Sequence, residues 1–361
     1  VGAYTEKRQV DEAQYPGWAH IAPPGGLSPS SCTSSIWKSS WPVKPDIVME
    51  GGNMAVNPAT GEADYLDSLR LLTTNWQPMS RLLTVSGDTS AGTALAARMS
   101  AQIMAAYPQY WPETVRAIIT HSARWTEAMK TQCAPLSSRG DKERLVKFCG
   151  FGVPDMEAAL WSLSNSLTLV IQDSLQPYDQ VETRYVTRDM HLHTVPWPVD
   201  VLRDLGGTEV EMKVTLSYFI EPNPARRGWR SKYRYASHGL RFEVKTATET
   251  VDQFRARINA IARQEEEGER SRSDSRDWYL GPDLRSRGSL HSDLWVGTAA
   301  ELAERQYIGV YPVIGWWRER HQLGRWDRGA RYSLLISLKT GEEAVDLYTP
   351  VANQVAVGVR V

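Results

Sequence analysis

The stretch VSGDTSAGTALAARMSAQIMAAYP, Val85 to Pro108, places Ser90 between a polar turn and a run of Ala, Gly and Thr. Leu95, Met99 and Ile103 recur four apart, so the spacing predicts a helix from Ser90 to Ala106, closed by Tyr107-Pro108. A helix this rich in small residues either packs closely through an interior or mounts a serine at its tip. The second role has a chemical use. The first N–H groups of a helix have no partner within it, and the helix dipole favours negative charge there. The N–H of Ser90 would then stabilise the oxyanion formed when its own hydroxyl attacks a carbonyl. The competing reading is that Ser90 only caps the helix.

Working outward, KPDIVMEGGN reads as a short buried strand, Asp46 to Met49, ended by a glycine pair. The segment AHIAPPGGLSPSSCTSS is loop by composition. A second helix starts at WPETVRAIITHSA, with Pro112 and Glu113 suited to a first turn and Val115, Ile118, Ile119 and Ser122 as its inward stripe. A short helix follows in GFGVPDMEAALW, opened by Pro154 and Asp155.

Beyond residue 170 the period changes. In TEVEMKVTLSYFI, Val210, Met212, Val214, Leu216 and Tyr218 face one way while Glu209, Glu211, Lys213, Thr215 and Ser217 face the other. That alternation predicts a half-buried antiparallel strand. LRFEV, RYSLLISL and VAVGVRV repeat it, which argues for a β-sandwich or jelly-roll-like domain over 170–361. One helix is inserted near 252–264, with Phe254, Ile258 and Ile261 on a face. The mixed-charge run RQEEEGERSRSDSRD after it reads as a solvated helix end and loop.

With 361 residues the chain can bury a sizeable core, and a formal net charge of -1 gives no electrostatic case for nucleic acid or an anionic membrane. Apolar runs fall short of the roughly 20 residues of a membrane span. Cys32, Cys133 and Cys149 are odd in number and lack metal or disulfide spacing, which favours a reducing compartment such as the cytoplasm.

Five blocks in order resemble the C-terminal half of a subtilisin-like (subtilase) serine peptidase domain. VGAYT (1–5) is similar to the strand after the oxyanion-hole asparagine, and KPDIVMEGGN (44–53) to the Lys-Pro-Asp strand with its glycine loop. GDTSAGTALAAR (87–98) resembles the nucleophile segment, YPQYWPETVRAIITHSA (107–123) the next helix, and GFGVPDMEAAL (150–160) the closing turn and helix. The resemblance covers roughly residues 1–160. It departs from the family at Asp88, Gly92 and Ala94, where Gly, Ala and often Pro are usual. It implies that Ser90 is the nucleophile of a serine endopeptidase acting on a polypeptide through an acyl-enzyme. The catalytic Asp, the His and the oxyanion Asn lie upstream in the family, and no His-Gly-Thr segment precedes Ser90 here. The expectation is therefore a truncated or split chain, completed by a missing N-terminal segment or a partner chain. The alternative is an inactive subtilase-like protein acting as a binding or regulatory module.

The remaining candidates are weaker. DTSAG lacks the third-position Gly of the aspartic-peptidase turn, since Ser90 stands there. His20 lies in a loop with no helical context for a base. His121 falls downstream in a helix and reads as a structural or surface residue, and His238 lies too far along the chain to be the family's base. His191 and His193 share one strand face and could bind a metal; with no third ligand evident, they read as surface polar positions. The Trp-rich PVIGWWRERHQLGRW reads as packing at a sandwich edge or against the peptidase domain. No cofactor or metal is expected, and no ligand cluster supports calcium. The fold expected is α/β: a subtilisin-like parallel-sheet half-domain over 1–165, then an antiparallel β-sandwich or jelly-roll-like domain.

Overall fold

A computed structural model describes residues 1–38, 41–164, 168–188, 190–224, 235–267 and 278–340. It is a mixed α/β structure with several antiparallel sheets, and its residues separate into two compact units. The first comprises Val1–Gln109 and Ser122–Ala159, the second Tyr110–His121 and the residues from Leu160 onward.

In the first unit, β1 (Gly2–Thr5) pairs in parallel with β4 (Val48–Glu50) and antiparallel with β3 (Gly26–Leu27). The predicted Asp46–Met49 strand thus appears as β4, starting two residues later and ending one later. The unit also holds two small sheets: β2 (Ala19–His20), β5 (Ala55–Val56) and β6 (Ala63–Asp64), and the hairpin of β7 (Leu71–Thr74) and β8 (Leu83–Ser86). Helix α1 (Asp88–Ala106) buries Ala91, Gly92, Ala96, Met99 and Ile103, whereas Leu95 is only half-buried. Gly92 explains the small-residue face: a Cβ there would lie 3.0 Å from the Gly2 carbonyl oxygen, so the helix runs close over β1. After α2 (Pro112–Ser122), two helices not read from the sequence follow, α3 (Glu127–Gln132) and α4 (Arg139–Cys149). They hold Met129, Cys133, Leu145 and Cys149 in one apolar cluster with Val48. Helix α5 (Met156–Ser164) begins after the expected Pro154-Asp155 start.

The second unit is built on two antiparallel sheets. One runs in the order β15 (Leu290–Thr298), β13 (Glu209–Tyr218), β17 (Ala330–Thr340), β9 (Thr168–Leu175). The other runs β12 (His191–Thr194), β16 (Tyr307–Val313), β14 (Gly239–Val244). Between β9 and β12 lies a hairpin, β10 (Tyr178–Val181) with β11 (Arg184–Thr187). Val210, Met212, Val214 and Leu216 share one core with Leu240, Phe242, Ile308, Val310, Leu334 and Ile336, so both sheets contribute to a common apolar interior. Helix α6 (Val199–Leu205) adds Leu202 to that core. The inserted helix is α7 (Val251–Glu267), and Phe254, Ile258 and Ile261 are buried beside Tyr311 and Val313.

One expectation is corrected here. Strand β13 is not half-buried, because Lys213, Thr215 and Ser217 are buried as well. All of α2 except Ser122 groups with the second unit and covers this polar face. Arg331 pairs with Glu113 at 3.0 Å, and Thr114 Oγ1 donates to Gln172 Oε1 at 2.7 Å. Lys213 Nζ donates to the His121 carbonyl at 2.8 Å, a cation on the negative end of the helix. Sequence periodicity shows which face is apolar, but a polar face bonded to a helix gives the same pattern as a solvated one.

Trp316 and Trp317 are buried with Tyr178, and their indole N–H groups donate to Glu221, so the Trp-rich segment packs inside its own unit. The VAVGVRV strand, residues 268–277 of the mixed-charge run and residues 225–230 after SYFIEPNP lie outside the described residues. No helix among the described residues is long and apolar enough to cross a membrane.

Candidate active site at the tip of α1

Ser90 is exposed in the first turn of α1. The intrahelical ladder starts with Ala91 N–H donating to the Gly87 carbonyl, so the N–H groups of Thr89 and Ser90 precede it. These are the donors an oxyanion at the helix tip would use.

Three of the sequence blocks meet at this tip. The carbonyl of Gly51, in the glycine loop after β4, accepts Asp88 N–H at 2.7 Å. Gly51 N–H in turn donates to the Tyr4 carbonyl of β1 at 2.9 Å. A Cβ on Gly51 would lie 2.5 Å from Ala3 Cβ and 2.9 Å from the Asp88 carbonyl oxygen, so only glycine fits between the strand and the serine turn. Asn53 is buried and locks the rest of that loop. Its amide donates to the Lys7 and Ala22 carbonyls, while its Oδ1 accepts from Ala22 and Met54 N–H. Behind the loop, Phe151 N–H donates to the Asp46 carbonyl and Val48 N–H to that of Gly152, joining the GFG turn to the Lys-Pro-Asp strand.

Asp88 has φ of 63°, in the left-handed region that glycine enters freely and Asp tolerates at a cost. This accounts physically for the family's Gly at that position. The Asp side chain lies 3.8 Å from Arg70, and its Oδ1 is buried without a hydrogen-bond partner among the described residues. Arg70 stacks over the Tyr65 ring and is a charge beside the serine turn that sequence reasoning missed. Nothing in the local pattern around Arg70 marks it, because its placement depends on the hairpin that follows.

His20 lies on β2, paired with Ala55. His121 is buried, its Nδ1 2.8 Å from Thr215 Oγ1 and its Nε2 2.7 Å from Ser337 Oγ. His238 is buried beside Ser237, and burial pushes its pKa down to about 3. Among the described residues no histidine ring is hydrogen-bonded to Ser90. An open depression lined by Tyr4, Glu6, Arg124, Trp125 and Asp155 does not include Ser90 either. Its Tyr4 phenol is raised to about 12 by burial and by Glu50, and so stays protonated.

His191 and His193, expected as surface polar positions, are half-buried, and Asp173 Oδ2 lies 3.0 Å from His191 Nδ1. The third potential ligand that the sequence did not reveal comes from β9.

Set beside known proteins, residues 1–152 match the Subtilase family model. The chain is also 28% identical over 204 residues to the uncharacterized protein y4bN of Sinorhizobium fredii, covering 56% of this chain and 42% of that protein. It therefore spans about two fifths of the length of the relative it matches. The tip that carries Ser90 lies inside the matched segment.

Proposed function

We propose that residues 1–152 are the C-terminal half of a subtilisin-like peptidase domain and that Ser90 is its nucleophile. The observation that carries this reading is the exposed serine at the helix tip, seated on Gly51 by a backbone hydrogen bond inside the segment that matches the family. Ser90 Oγ adds to the scissile carbonyl as a general base takes its proton. The oxyanion is held by the N–H groups at the start of α1, the amine leaves with a proton, and water releases the acyl group. Segments upstream of this chain, or a partner chain, supply the base, its orienting Asp and the oxyanion Asn. The substrate is a polypeptide, and the residues beyond 170 form an appended β-rich domain of sandwich or jelly-roll type. The odd set of cysteines supports a reducing compartment.

One observation favours a second reading. Asp88 stands at positive φ where the family has Gly, which suits a degenerate site retained for binding. A fluorophosphonate probe separates the two on a form extended upstream. Covalent labelling that disappears in Ser90→Ala supports the peptidase; an unlabelled, folded, extended protein supports the binding module.

A further inference from the structure

Leu169, Ile171, Asp173 and Leu175 alternate onto one face of β9. Leu169, Ile171 and Leu175 join the common core of the second unit, so Asp173 takes an inward position in an apolar row. On β12 the neighbour Leu192 packs toward Tyr311 and Val313, which leaves His191 and His193 together on the opposite face. β9 and β12 are the edge strands of their respective sheets. Tyr332, paired directly with Asp173 in the β17–β9 register, places its hydroxyl among all three. That oxygen is 2.9 Å from His191 Nδ1 and 2.7 Å from His193 Nε2, and it bonds Asp173 as well.

A phenol hydroxyl both donates and accepts, and here it gathers the two imidazoles and the carboxylate around one oxygen. Two imidazole nitrogens and a carboxylate oxygen within 4.8 Å of one another also match the donor set of a transition-metal ion. Donors on a tetrahedral zinc at about 2.0–2.1 Å stand roughly 3.3 Å apart, within reach of rotamer adjustment from this arrangement. The side chains of Asp173 and His191 are 43% and 32% exposed, which leaves an approach from solvent, while Tyr332 closes the inner side.

We propose that Asp173, His191 and His193 form a binding site for a divalent transition-metal ion, zinc being the best fit, with the Tyr332 oxygen as a fourth donor. Imidazole ligands select against calcium and magnesium, which take oxygen donors. The ion clamps β9 to β12 and so ties the edges of the two sheets together. The site is independent of the chemistry at Ser90.

The test uses the whole chain stripped with chelator. Titration with zinc should show one ion per chain and a melting temperature that rises with free zinc. Cobalt should give the visible d–d bands of a nitrogen- and oxygen-ligated ion without a near-ultraviolet thiolate band, which separates this site from Cys133 and Cys149. Asp173→Asn, which preserves shape, should weaken zinc at least about 100-fold, more than is typical for loss of an outer-shell partner. His191→Gln with His193→Gln should abolish binding. Absence of stoichiometric zinc on the folded chain overturns the proposal. So does a thiolate cobalt spectrum, or wild-type affinity in folded Asp173→Asn.

Discussion

Ser90 and Tyr332 each carry a hydroxyl, and their surroundings are opposite. The Ser90 hydroxyl is exposed on a turn whose preceding Asp88 sits at positive φ, and among the described residues no histidine is bonded to it. The Tyr332 hydroxyl is buried among two imidazoles and a carboxylate, each within its own unit. The difference shows what each region needs. The nucleophile proposed at Ser90 has to be reachable by substrate and needs a base beside it. A buried polar group must be satisfied by its own fold or it costs stability. The first unit is therefore strained and open at its tip, while the second unit closes the Tyr332 hydroxyl on its own side chains.

The largest expected effect tests that closure. Arg285 is buried between Asp293 and Glu243, at 3.5 and 3.1 Å, and lies against the Phe242 and Trp278 rings. Glu243 also pairs with Arg257, which reaches Glu249. Burial raises the Asp293 carboxyl pKa against the opposing pull of Arg285. Arg285→Ala leaves two carboxylates buried beside a vacated cation, at a cost of about 3–5 kcal/mol. Urea unfolding of the variant checks it. A loss under 1 kcal/mol would mean that water or repacking solvates the pair.

Protonation acts on the same unit. His238 ionises near 3 in the folded chain because of burial, and about 6.5 is the unfolded value. The unfolded chain thus binds the extra proton between those values, so stability falls as pH drops through that window. The slope is about 1.4 kcal/mol per pH unit, and the loss from pH 7 to 5 is about 2 kcal/mol. His291, fully buried and also lowered by desolvation, acts in the same direction. His238→Phe keeps a ring against Trp317 and should remove its share of the slope in denaturant midpoints measured at both pH values. An unchanged slope would show that the ring is not sealed from water.

The first unit was legible in the sequence where chemistry follows local order. The tip of α1, the strand ending in Gly51-Gly52 and the Pro154-Asp155 helix start all depend on short segments. Helix α4 was legible in principle: Ser138 and Asp141 form a reciprocal capping box, but the charged run behind it masks the apolar residues Leu145 and Val146. What could not be read depends on distant pairing. Asp173 meets His191 only once β9 and β12 occupy the edges of two sheets, and α2 covers β13 through side chains nearly a hundred residues away. Lys213 looks like a solvent-facing residue until the end of α2 is placed beside it.

Closer to the serine, Gly51→Ala tests whether the tip is held by backbone contact. The added methyl meets Ala3 and the Asp88 carbonyl, neither the end of a flexible side chain, so overpacking should cost about 1–3 kcal/mol. Gly61→Ala, with open space around it, is the control that carries only the cost of positive φ. Equal losses in thermal melts would mean that the loop shifts away from the turn.

The smallest effect is the most specific to the site. Asp88→Gly relieves a left-handed backbone cost of about 1–2 kcal/mol, and the added freedom of the unfolded chain offsets about 0.5–1 kcal/mol of that. The long, partly exposed pairing with Arg70 at 3.8 Å contributes little. Asp88→Ala keeps the cost of positive φ and loses the polar side chain that helps an Asp adopt it. The Gly variant should therefore exceed the Ala variant by about 1 kcal/mol, and its absolute change should be near zero. Denaturant unfolding of the two variants side by side decides it. If Ala is as stable as Gly, the turn has moved out of the left-handed region and Asp88 is not the strained residue of the tip. If Gly wins and also labels faster with fluorophosphonate in the upstream-extended form, Asp88 restrains the nucleophile through the backbone. That result would join the strain at the tip to the chemistry proposed for Ser90, whereas faster labelling without the stability difference would assign the effect to the carboxylate charge.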